Sequence, residues 1–143
     1  MMQCLIYSQG KLIAHADFVG FDPGMGCTLA SFIPGENYEE IRPTVRAFTS
    51  LGSFADVDAT RETRAYATEV YQRCAALDLT AYTHAGELLE PAGGIALFDF
   101  SEELDNDPYE VHLLGLPRDI SEKYLHEAIQ QYYGETRQED EQP

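Results

Sequence analysis

Between Cys74 and Pro117 the chain carries no lysine and no arginine, although nine aspartates and glutamates fall in the same stretch. Over all 143 residues, nine basic side chains stand against twenty-five acidic ones, a formal charge of −16. Such a field repels phosphate backbones and anionic headgroups and attracts cationic surfaces, which argues against direct nucleic-acid binding and against membrane association. Also missing is any run near the ~20 apolar residues that a bilayer-spanning helix requires. The opening Met1-Met2-Gln3-Cys4-Leu5-Ile6-Tyr7 has no basic n-region and gives way to Ser8-Gln9-Gly10, so a secretory leader is not supported. Cysteine is scarce: Cys4, Cys27 and Cys74 are odd in number and lack C-x-x-C spacing. That suits reduced thiols in a cytoplasm, packed as small hydrophobes, better than a disulfide framework.

What is present is enough apolar material for a core, at 44% of the residues with nine Tyr and seven Phe. The length fits one domain. Two-residue alternation predicts strands over 3–8, 12–19 and 27–33, with Gly10 at a tight hairpin and a glycine-rich loop over 20–26. On the second strand, Leu12, Ala14, Ala16 and Phe18 form the better core face. Helical spacing of Tyr38, Ile41, Val45 and Phe48 predicts a helix capped by Asn37, in which Pro43 should produce a kink or a tightened turn. Leu51, Phe54 and Val57 are candidate anchors of the loop that follows. A second helix, about 60–77, carries the stripe Tyr66, Val70, Cys74 and Leu77. Strands are then expected at 79–83, 88–89, 95–100 and 109–116. A final helix follows, capped by Asp119 or Ser121, bearing Tyr124, Leu125, Ala128, Ile129 and Tyr132, and ended by Gly134. The expectation is a single α+β domain over 1–134 and a disordered acidic tail over 135–143. Its sheet should be mixed or antiparallel, with about six or seven strands and about three helices packed mainly on one face.

The stretch Leu-Ile-Tyr-Ser-Gln-Gly-Lys-Leu-Ile at 5–13, together with Tyr38-x-x-Ile41-Arg42-Pro43, resembles a group of small uncharacterised bacterial proteins without an assigned activity. Gly94-Ile95-x-x-x-Asp99-x-Ser101-Glu102-Glu103-Leu104 and Val111-x-x-Leu114-Gly115 extend the similarity. The resemblance implies a bacterial, cytoplasmic, single-domain protein and carries over no catalytic residue.

The segment that concentrates charge is Asp99 to Glu110, holding Asp99, Glu102, Glu103, Asp105, Asp107 and Glu110. As a calcium loop it fails, because Asp105-Asn106-Asp107-Pro108 lacks the turn glycine and a twelfth-position glutamate. His15, His84, His112 and His126 are too scattered for a zinc pattern. A carboxylate pair of Asp99 with Glu102 or Glu103 needs one raised pKa in a cleft, and a solvated run provides none. Among the thiols only Cys74, beside Arg73, has a nearby base. No serine sits in a G-x-S-x-G context, and the glycines at 20, 24 and 26 are not ordered as a dinucleotide loop. No cofactor and no metal are therefore expected.

A charge run is most often a solvated turn. Here, however, the excess is regional, since 40–73 is balanced at five acids and five arginines. The leading expectation is a non-enzymatic acidic binding protein, of an immunity or inhibitor type, whose face at Asp99, Glu102, Glu103, Asp105, Asp107 and Glu110 docks a basic protein partner. The alternatives are a small hydrolase or metal-dependent enzyme, and a homodimeric assembly subunit.

Overall fold

The computed structural model describes residues 2–18, 27–51, 60–123 and 125. Among these residues seven strands run β1 (Met2–Ser8), β2 (Lys11–Phe18), β3 (Cys27–Pro34), β4 (Leu79–Thr83), β5 (Leu88–Leu89), β6 (Gly94–Asp99) and β7 (Tyr109–Leu114). Helices α1 (Tyr38–Ser50) and α2 (Arg61–Ala76) lie between β3 and β4. A third helix, α3, opens at residue 118. The loop expected over 20–26, the anchors Phe54 and Val57, most of the final helix and the acidic tail lie outside the described residues. So does the placement of Tyr124, Ala128, Ile129, Tyr132 and Gly134.

The sheet order is β5-β4-β1-β2-β3-β7-β6, and every pairing is antiparallel. The fold is α+β, and among the described residues the sheet has no parallel pairing. Alternation does the sorting: Met2, Cys4, Ile6 and Ser8 of β1 point inward while Gln3 is exposed. On β2 the pattern breaks, because the register skips between Ile6 and Tyr7 and leaves Ile13 as an extra residue. Ile13 and Ala14 are therefore both buried, and the Ile13 carbonyl accepts from the Gly35 N–H at 2.7 Å.

The sheet curls far enough that β4 and β6 approach one another although no ladder joins them. Helix α1 packs along β6 at this seam and α2 packs on α1. Tyr38, Ile41 and Val45 of α1, with Ile120 and Leu125 of α3, complete a core shared with Phe18, Phe32, Leu97, Val111 and Leu113. Helix α1 runs unbroken through Pro43, which is solvent-exposed. Asn37 stands at the cap position without capping; its side-chain amide donates instead to the Leu12 carbonyl at 3.0 Å. Thr60 does cap α2, accepting from the Thr63 N–H. Of the expected α2 stripe only Val70 is fully buried, and Tyr66 is exposed.

Candidate functional site: the Asp99 cluster and its acidic loop

Strand β6 ends at Asp99, and the chain returns to β7 through residues 100–108. The loop is closed by Phe100 N–H donating to the Pro108 carbonyl at 2.8 Å and tightened by Leu104 N–H donating to Phe100 at 2.7 Å. Asp107 sits at φ 46°, a left-handed conformation that aspartate tolerates better than most residues. The loop is thus a defined turn.

Beneath it, Asp99 is 0% exposed. Its Oδ2 accepts from the Tyr38 hydroxyl at 2.5 Å and from Arg42 Nη1 at 3.0 Å, and its Oδ1 accepts from the Ser101 N–H at 2.9 Å. Arg42 also donates to the Tyr109 hydroxyl and to Ser101 Oγ, each at 3.2 Å, and forks onto Glu39. Its guanidinium stacks over the Tyr38 ring at 4.8 Å from the centroid. Phe32, Tyr38 and Tyr109 form the aromatic wall of the cluster.

The backbone of Asp99 is bound as well. Among the described residues β6 is the last strand of the sheet, and its outer edge has no ladder partner there. Helix α1 meets that edge with side chains: Thr49 Oγ1 accepts from the Asp99 N–H at 2.9 Å, and Arg46 Nη1 donates to the Asp99 carbonyl at 2.5 Å. At Asp99, a strand edge that could otherwise recruit another chain is covered in this way. Arg46 then reaches over the loop to Glu102 at 2.5 Å and to both carboxylate oxygens of Glu103, at 2.8 and 2.9 Å.

The electrostatics follow from these contacts. Burial pushes the Asp99 carboxyl up, but the Ser101 and Tyr38 hydrogen bonds and the Arg42 charge outweigh it and hold the pKa below the usual carboxylate range. Burial, and then donation to Asp99, raise the Tyr38 phenol. Glu103 is held low chiefly by the Arg46 hydrogen bond, and Glu39 by that of Arg42. An ionised, fully hydrogen-bonded carboxylate away from solvent has neither the proton of a general acid nor the access of a nucleophile. The cluster is chemically suited to fixing a loop.

The six acids read from the sequence therefore separate. Asp99 is a correction: it cannot belong to an outer docking face, because it is buried under the loop and both oxygens are engaged. Its pairing with Glu102 or Glu103 as a catalytic dyad is not formed; those glutamates are exposed and tied to Arg46. Asp105 and Asp107 are exposed on the same loop. Glu110 lies on β7 with its Oε1 2.9 Å from His112 Nε2. Cys4 is buried, its thiol pushed up to about 12 by burial and secondarily by Asp17. Cys74 is half-buried, and burial raises its thiol despite the opposing Arg73 charge. Among the described residues, no group of three or more His, Cys, Asp or Glu converges as a metal site.

The sequence reading missed Arg42, Arg46 and Thr49, and took Tyr38 only as a core residue. A signal was there: with Tyr38 they recur at steps of four, four and three, one helical face beside the apolar stripe. No protein-family model, curated protein or solved structure matches this chain.

Proposed function

We propose that this chain is a non-enzymatic binding protein whose loop at 102–107 docks a basic surface of another protein. The observation that carries this reading is the bracing of that loop. Glu102, Glu103, Asp105 and Asp107 all stand exposed on a turn held from below by Asp99 and from the side by Arg46. A surface already ordered loses less entropy on docking than a mobile acidic run would. The two guanidinium groups of Arg42 and Arg46 do not neutralise the region, which also includes Glu39 and Glu110. The residual negative field steers a cationic partner by long-range attraction, in the manner of inhibitors that cover basic active sites. A bacterial origin and a cytoplasmic setting belong to the same proposal, supported by the residues at 5–13 and 94–104 and by an odd number of cysteines without C-x-x-C spacing.

The test uses Asp105→Asn with Asp107→Asn, which disturbs no ion pair of the Asp99 cluster and places at 107 another residue that tolerates positive φ. The partner is captured from the cells of origin on immobilised wild-type protein and identified, and its association is then followed by stopped flow across a salt series. The double variant should associate about three- to ten-fold more slowly at low salt, with a flatter salt dependence. An unchanged rate and slope would remove the loop from the interface.

A further inference from the structure

A cavity of about 200 Å³ lies at the seam where β4 and β6 approach without pairing. Val45 and Phe48 of α1, Cys74 of α2, Leu79 of β4, and Ile95 and Leu97 of β6 form most of its wall, and among the described residues no charged side chain lines it. Gly93, another lining residue, is exposed. Its position follows from the topology. A curled sheet that does not close leaves a wedge between its edges, and α1 fills the end near Asp99, where Thr49 and Arg46 bind the strand edge. Further along β6 the wedge is lined instead by the apolar side chains of both helices.

We propose that this cavity is a binding site for a small uncharged apolar molecule, of the size of a single aromatic ring or a short alkyl chain. Volume sets the size class, since dry apolar cavities of about 150 Å³ accept benzene. Lining sets the polarity: a charged ligand would be desolvated with no countercharge or fixed dipole to replace water. The chain's charge of −16 adds a barrier against anionic amphiphiles. None of residues 99–110 is among the side chains that line the site, so it does not depend on the loop's role.

Toluene serves as the probe, and the protein reports its own occupancy. Cys4 and Cys27 are buried, so Cys74 is the thiol open to an aromatic disulfide reagent in the native state. Saturating toluene should slow Cys74 modification at least about five-fold and raise Tm by about 2–4 °C, as ligand binding to the native state alone requires. The variant Cys74→Phe, which fills the cavity from its helical wall, should lose the Tm shift while keeping the wild-type circular dichroism. Two results overturn the proposal: no protection of Cys74 in the wild-type protein, or an equal Tm shift in wild type and Cys74→Phe. The first measurement needs no variant, so a misfolded Cys74→Phe leaves the decision intact.

Discussion

At the scale of single residues, Asp99 is where the chain has most to lose. Removing one member of a buried, hydrogen-bonded charge pair costs several kcal/mol because the remaining groups keep their desolvation penalty. Arg42 is partly exposed and retains Glu39, so the loss falls mainly on the Tyr38 hydroxyl and the Ser101 N–H. Asp99→Ala should therefore destabilise the protein by about 2–4 kcal/mol, and Tyr38→Phe by about 1–2 kcal/mol, in urea unfolding at neutral pH. The sign of the pH dependence follows from the lowered carboxyl. Its stabilisation is fully present above the unfolded-state pKa, ~3.9, and is lost as pH falls through the lower folded value. Wild-type stability should thus fall on acidification below about pH 4, and Asp99→Asn should show a shallower decline. An identical acid profile for the two proteins would count against an ionised Asp99. The partners of this residue were not legible beforehand, since Arg42 lies 57 positions away and one-dimensional charge counting assigns no contacts. What was legible was the regional excess, and it grouped one buried structural acid with four exposed ones and the half-buried Glu110.

At the scale of elements, the alternation of β1 and β7 and the helical spacing of Tyr38, Ile41 and Val45 were readable because each has one face toward a single core. Where an element's environment is not one-sided, the pattern misleads. The bulge at Ile13 arises from pairing with β1, which no property of β2 alone announces, and it turns into the core a residue expected on the outer face. Helix α2 has α1 as its helical neighbour and an apolar cavity near its C-terminal turn, so Tyr66 remains outside while Val70 is buried. The docking of α1 on β6 makes a prediction at this scale. Thr49→Val preserves shape but removes the acceptor for the Asp99 N–H, and should cost about 1–2 kcal/mol. Arg46→Met removes both the donor to the Asp99 carbonyl and the clamp on Glu102 and Glu103. Amide exchange over 100–104 should then accelerate by about ten-fold or more while that of β1 and β2 is unchanged. Uniform acceleration across the sheet would mean that Arg46 supports the whole fold and not the loop.

At the scale of the molecule, an excess of sixteen negative charges opposes compaction by self-repulsion. The exposed ion pairs, such as Lys11–Glu40 and Arg118–Glu122, contribute little against it, whereas the contacts of Asp99 are shielded from solvent. Salt therefore screens repulsion more than it weakens attraction, because buried pairs are screened much less than surface charges. The urea midpoint at pH 7 should rise as sodium chloride goes from about 20 to about 200 mM, over which the Debye length shrinks from ~20 to ~7 Å. A falling midpoint would mean that the surface ion pairs outweigh the repulsion. Asp105→Asn with Asp107→Asn should raise the midpoint at the lower salt and reduce the salt response, since both acids sit beside Glu102 and Glu103 on one short turn. The same double variant is expected to slow partner association. If both effects appear together, the loop lowers the stability of the free protein while speeding its encounter with a cationic partner, the trade expected of a charged docking surface. If the variant is more stable and associates as fast as wild type, the acids are an electrostatic burden without that use.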